Sequence, residues 1–156
     1  MKHQKVCFVV AMALLIASIP WPALPAEELN SSESHAAMEK LLRDYISLYR
    51  KESLAQWKEL FHPSVTIIFP ADDGTITVRN LAQFFVRQQD FFAQRKSVSE
   101  RLENVQIAEG RRMSRVLANF VFVSDGAEKR GKLGLHLLEG NEGWKIVGLV
   151  FSYDQP

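Results

Sequence analysis

Cysteine is nearly missing from this sequence. Cys7 is the only one among 156 residues, and it lies in a leading apolar segment that we predict to be removed. The mature chain would then have no thiol nucleophile, no zinc-cysteine site and no disulfide. Its stability must come from ordinary packing of side chains.

The chain also lacks an excess of charge of either sign. It has 19 basic and 18 acidic residues, and the loss of Lys2 and Lys5 from the basic set would leave 17 against 18. Such a balance provides no basic surface for nucleic acid or for an anionic membrane. We therefore expect neither as a partner.

Histidine is scarce and scattered, and no pattern for holding a metal or a cofactor is present. Beyond the leading segment, His35, His62 and His136 stand far apart in the sequence, without the spacing typical of metal ligands. No glycine-rich phosphate loop and no paired nucleophile and base can be recognised. We expect no metal and no cofactor.

The first 26 residues have the layout of a secretory signal. Lys2 and Lys5 precede an uncharged apolar run of about 14 residues, 6–19, which is too short to span a bilayer comfortably. A Pro- and Ala-rich junction follows and predicts cleavage after Ala26. We expect a periplasmic or secreted protein without membrane insertion after signal removal, with a short linker over 27–33 and one domain over 34–156.

Three helices are predicted in the first half of the domain. Apolar residues recur at helical spacing from about Ser34 and predict a long amphipathic first helix. Ser53 and Gln56 have the spacing of a capping box for a short second helix, which His62-Pro63 should end. Asn80 and Gln83 repeat that capping pattern and predict a third helix to about Gln94.

The remaining pattern is that of strands. Two strands are predicted before the third helix and four after it, the latter as an antiparallel meander. Their predicted ranges are 65–69, 75–78, 97–108, 113–124, 130–139 and 144–153. Several of these strands carry apolar side chains on both faces, whereas a sheet with one wet face would alternate. One face can be covered by the helices, and the other favours a second copy of the chain.

The order of these elements resembles that of the nuclear-transport-factor-2-like superfamily. The stretch 60–63, Leu-Phe-His-Pro, is similar to the helix-to-strand junction of the branch named for lumazine binding. The stretch 143–152 is similar to the last strand of that branch and of SnoaL-like members. The resemblance implies an α+β cone in which a curved antiparallel or mixed sheet packs on three N-terminal helices around a cavity. Members of the isomerase branch use a carboxylate on an early strand as the general base. The resemblance implies that Phe69 occupies that position here, so isomerase chemistry of that type is disfavoured.

Candidate site residues are mostly aromatic. We expect the interior of the cone to be lined by aromatic side chains, with His136 as its main polar group and His62 at the rim. His136 could act as an acid or base near neutral pH, or it could be a hydrogen-bonded core histidine. The ligand-pocket candidates are Tyr45, Tyr49, Trp57, His62, Phe69, Phe122, His136 and Tyr153.

Three functions remain open at this point. A mainly aromatic pocket favours an exported, homodimeric protein that binds a small apolar or aromatic molecule without catalysis. A SnoaL-like acid-base enzyme, such as an isomerase, cyclase or dehydratase, is the main alternative. The third is a protein-interaction module that uses the outer face of the sheet.

Overall fold

The computed structural model describes residues 31–71 and 73–154 of the chain. The predicted signal over 1–26 and most of the predicted linker lie outside the described residues. The linker's last residues do not form a linker, since the first helix already begins at Ser31. No helix among the described residues is long and apolar enough to cross a membrane.

Three helices cover one face of a sheet. Helix α1 spans Ser31–Ser47, a 3-10 turn spans Lys51–Ser53, and α2 (Leu54–Lys58) and α3 (Leu81–Ala93) follow. The apolar stripe that predicted α1 is its buried side, with Met38 fully buried. The apolar pattern continues to Tyr49, and the helix ends two residues earlier, at Ser47, before the chain tightens into the 3-10 turn.

Of the two predicted capping boxes, only one forms. At α3, the Asn80 side chain accepts from the Gln83 backbone N–H, and the Gln83 side chain accepts from the Asn80 N–H, as predicted. Before α2 the prediction was wrong. The Ser53 hydroxyl donates instead to the carbonyl of Leu48 at 3.1 Å, which holds the 3-10 turn against the end of α1.

Six strands form one mixed sheet in the order β2-β1-β6-β5-β4-β3. The four C-terminal strands make the predicted antiparallel meander, and β6 pairs with β1 in parallel. The sheet and helices together give the predicted α+β fold. The strands are β1 (Phe61–Pro70), β2 (Ile76–Arg79), β3 (Val98–Ala108), β4 (Met113–Ser124), β5 (Ala127–Gly140) and β6 (Gly143–Tyr153).

Irregularities in the ladder change the inward face along two strands, β3 and β6. Ile146 and Leu149 are three residues apart, yet both are buried on the side of the helices, because the register of β6 shifts opposite His136 and Leu137. A second shift in β3 lies near Asn104, which has a positive φ of 54°. Such bulges change which side chains face inward along one strand.

The two faces of the sheet have different surroundings. The inner face, which packs on the helices, carries the buried side chains of one continuous core. The outer face carries a row of residues that are paired neighbours across five strands. That row consists of Leu117, Gly134, Val150, Ile68 and Val78. Its members Leu117, Val150 and Val78 are 45%, 42% and 60% exposed.

Candidate functional site

A small chamber lies inside the cone between the helices and the inner face of the sheet. Its volume is about 50 Å³. We call it the aromatic chamber, because eight of its lining residues carry aromatic rings. The lining consists of Tyr45, Tyr49, Trp57, Phe84, Gln88, Glu100, Phe120, Phe122, Leu133, Leu149, Phe151 and Tyr153.

Trp57 is the centre of the aromatic packing on the helical side. Its indole ring lies 4.9 Å from the Tyr49 ring and 5.5 Å from the Tyr45 ring, measured between centroids. It also meets Phe61 edge to face at 4.7 Å. Such tilted and edge-to-face contacts suit the charge distribution of aromatic rings. The Trp57 indole N–H is buried and has no hydrogen-bond partner among the described residues.

The polar groups of the chamber are few. The Tyr49 hydroxyl donates a hydrogen bond to Gln88 Oε1 at 2.6 Å, which ties α1's end to α3. Burial raises the pKa of the Tyr45 and Tyr49 hydroxyls well above the usual value of a phenol. These hydroxyls are therefore protonated at neutral pH and can serve as hydrogen-bond donors.

Glu100 is the one carboxylate of the chamber lining. It lies on β3, paired with Phe122 of β4, and this position directs it to the inner face. Among the described residues Glu100 has neither an ion-pair partner nor a hydrogen-bond partner. Burial among apolar groups disfavours the charged form and raises the pKa of Glu100 from 4.5 to about 7. Both protonation states of Glu100 are thus populated near neutral pH.

Several sequence-based candidates lie in this lining. The structure brings together Tyr45, Tyr49, Trp57, Phe122 and Tyr153 around one space. Glu100 was not among the site residues predicted from the sequence. The signal was present, because Val98, Glu100 and Leu102 alternate along β3 and the two apolar residues indicate an inward face.

His136 lies elsewhere, contrary to prediction. It is exposed on β5 and lies on the outer face of the sheet, between buried Leu135 and Leu137. Its side chain packs over Gly148 of β6. Strand alternation therefore carries it away from the chamber, so it is neither a chamber group nor a core histidine.

His62 and Phe69 also lie outside the chamber lining. The strand β1 already includes His62 and Pro63, so His62 does not end a helix. It is exposed, and its Nδ1 accepts from the backbone N–H of Ser64 at 3.1 Å. Phe69 stacks on Phe151 at 5.1 Å between ring centroids, so it packs against a residue of the chamber lining without being part of it.

No cluster of three or more His, Cys, Asp or Glu side chains in the described ranges is arranged to hold a metal ion. The chamber therefore offers aromatic surface, protonated phenols and one carboxyl group that exchanges its proton near neutral pH. This set can hold a small, mostly apolar molecule by its faces and orient it through one or two hydrogen bonds.

Comparisons with known structures agree on the fold. A protein from Kribbella flavida superposes with a TM-score of 0.69 at 12% identity, covering 80% of this chain and 93% of the other. A candidate dehydratase of the NTF2-like family from Streptomyces avermitilis gives 0.68 at 9% identity, with 80% and 99% covered. An NTF2-like protein of unknown function from Shewanella baltica gives 0.61 at 14% identity, with 80% and 97% covered. At these identities the likeness shows the fold alone.

A comparison with curated protein sequences finds no match. The family model of the SnoaL-like domain matches residues 38–155, which is nearly the whole of the predicted mature chain. This agreement of sequence pattern and fold confirms the resemblance seen in the sequence: the protein belongs to the SnoaL-like domain family of the nuclear-transport-factor-2-like superfamily.

Proposed function

We propose that this protein binds a small, largely apolar or aromatic molecule in the aromatic chamber, with Glu100 as the polar anchor. The observation that carries the proposal is the unpartnered carboxyl group of Glu100 among aromatic rings. The Glu100 side chain is half-buried, and removing such a group even partly from water without a partner costs stability. A ligand with a hydrogen-bonding group would compensate that cost, whereas a purely structural core gains nothing from it.

Binding of a neutral aromatic dye tests this proposal. N-phenylnaphthylamine fluoresces when it enters an apolar site, and we expect saturable binding of one dye per chain. Leu133→Phe adds volume to the chamber wall and should weaken binding at least tenfold. Leu117→Phe makes the same substitution on the exposed outer face and is the matched control. Equal affinity of the two variants would place the dye outside the chamber and contradict the proposal.

A second function, acid-base catalysis, is favoured by the pKa of Glu100. A carboxyl group with a pKa of about 7 can accept or give a proton at neutral pH, as a general base or acid must. Tyrosine hydroxyls in the same lining could donate hydrogen bonds to an oxygen that gains charge. This chemistry would fit the dehydratase assignment given to the relative from Streptomyces avermitilis.

Proton exchange separates binding from catalysis. With tetralone, an aromatic ketone, as the probe in D₂O, a base would remove an α-hydrogen and return deuterium from solvent. We expect exchange above the buffer rate that rises with pH through about 7 and is lost in Glu100→Gln. If no exchange occurs while the dye still binds, the result would contradict catalysis and support binding only.

We further propose that the protein is exported and forms a homodimer through the outer face. The apolar row across five strands supports the dimer, because soluble monomers seldom leave such a stripe in water. The basic start and the short apolar run of the sequence support export. Intact mass of the protein from the cell envelope should give an N-terminus near Glu27, and a chain retaining Met1 would contradict export.

A further inference from the structure

The aromatic chamber is too small to hold an organic ligand by itself. Its volume of about 50 Å³ is well below the roughly 300–1,000 Å³ of typical small-molecule sites. It is large enough for a few waters only. A molecule that binds there must therefore extend into a neighbouring space.

Such a space lies on the other side of two chamber residues. A groove of about 510 Å³ runs between α1 and β3, and we call it the α1–β3 groove. Tyr49 and Glu100 line both the groove and the chamber, so their side chains form the partition between them. The groove's apolar wall consists of Leu42, Ile46, Val98, Leu102 and Val105.

The partition has one fixed and one unrestrained member. Tyr49 is held by its hydrogen bond to Gln88. Glu100 has no partner among the described residues that would resist rotation of its side chain about its own bonds. Movement of Glu100 alone could therefore join the groove and chamber, and their combined volume falls within the range of known ligand sites.

Three arginines line the groove together with Glu100, and two of these arginines already have carboxylate partners. Arg43 lies 3.4 Å from Glu39, and Arg101 lies 3.1 Å from Glu103. Arg50 has no ion pair among the described residues. Arg50 is therefore the arginine of the groove that is available to pair with an anionic group of a ligand.

We propose that the ligand is an elongated amphipathic anion whose apolar part lies along the apolar wall of the α1–β3 groove and reaches past Glu100 into the aromatic chamber. Its carboxylate or sulfonate end then lies at the rim of the groove on Arg50. This inference rests on the proposed binding function and adds the chemical class of the ligand. It also assigns Arg50 as the residue that selects for the anionic end.

Two dyes with the same ring system test the inference. N-phenylnaphthylamine is neutral, and anilinonaphthalene sulfonate adds one anionic group. Both are titrated at constant ionic strength into the full mature chain, as wild type, Arg50→Gln and Lys51→Gln. Lys51→Gln removes a neighbouring exposed charge that does not line the groove. Each dye is also titrated into Leu133→Phe, and the fluorescence increase that this variant loses relative to the wild type is assigned to binding at the chamber.

We expect the wild type to bind the sulfonate more tightly than the neutral dye. Arg50→Gln should weaken sulfonate binding by about tenfold and change binding of the neutral dye less than twofold. An equal loss in Lys51→Gln, or no loss in Arg50→Gln, would overturn the role of Arg50. Failure of both dyes to bind the chamber would instead overturn the proposed binding function itself.

Discussion

Glu100 ionises well outside the usual range of a glutamate. The folded chain holds its pKa at about 7, whereas the unfolded chain ionises it near 4.5. Between these values the folded state binds more protons than the unfolded state, so stability falls as pH rises through this interval. Above about pH 7 the full cost of the half-buried carboxylate is present.

Replacement of Glu100 by Gln should therefore stabilise the fold at high pH. The free energy of unfolding of Glu100→Gln should exceed that of the wild type by about 2 to 3 kcal/mol at pH 8, and the difference should shrink to near zero at pH 4. Urea unfolding at the two pH values measures this difference. The matched Glu52→Gln variant reports how far removal of a surface carboxylate moves the same quantity. A difference that does not widen with pH would contradict the buried state of Glu100.

At the scale of the elements, strand β5 has no room for a side chain at Gly131. A Cβ at this position would lie 2.5 Å from two carbons of the Phe120 ring and closer still to the carbonyl oxygen of Ser152. Phe120 lines the chamber, so the absence of a side chain at Gly131 makes room for the ring. Backbone atoms cannot move aside as the end of a flexible side chain can.

Gly131→Ala should consequently destabilise the chain, by roughly 1 to 3 kcal/mol. Thermal unfolding followed by circular dichroism measures the loss. Gly134→Ala, on the same strand, is the matched control, because its Cβ would have ordinary contacts of 3.6 Å and more. Equal melting temperatures of the two variants would show that the sheet adjusts freely at Gly131.

Alternation and capping patterns were sufficient to predict most elements. The strand β4 has the predicted bounds, and the capping box at Asn80 forms as expected. The capping box predicted at Ser53 does not form, because the Ser53 hydroxyl donates to the carbonyl of Leu48 instead. His62 and Pro63 extend β1, since a proline can start a strand as readily as it ends a helix.

The chamber lining could be predicted from the sequence only in part. Aromatic residues at helical spacing indicate an interior, and five of the candidates do meet there. The inward side of a strand depends on its bulges and pairing, which the sequence alone does not reveal. His136 was therefore assigned to the wrong face, and Glu100 was overlooked although its apolar neighbours in alternation marked it as inward.

At the scale of the whole molecule, the outer face of the sheet is the surface through which we propose that two copies pair. Val150 lies at the middle of the exposed apolar row, on β6 between its neighbours on β5 and β1. A two-fold pairing of outer faces would bury this row with one self-complementary surface. A charge at its centre would then be desolvated in the dimer and repelled by its own copy.

We expect Val150→Glu to be monomeric or to aggregate, and the wild type to be a dimer at micromolar concentration. Ala36→Glu places the same charge on the exposed side of α1 and should leave the dimer intact. Light scattering after size exclusion measures all three masses. A monomeric wild type would contradict the dimer. The apolar row would then be free to bind a different protein, as expected of an interaction module.

The most direct test of Glu100 as the polar anchor is its ionisation, measured by carbon-detected NMR with and without bound N-phenylnaphthylamine. The resonance is assigned by its loss in Glu100→Gln. We predict a pKa of about 7 in the free chain and a higher pKa in the complex, because the ligand excludes the remaining water. Dye affinity should correspondingly fall as pH rises above 7. A pKa near 4.5 in the free chain, or one that the dye leaves unchanged, would contradict the assignment of Glu100 as the polar anchor of the ligand site.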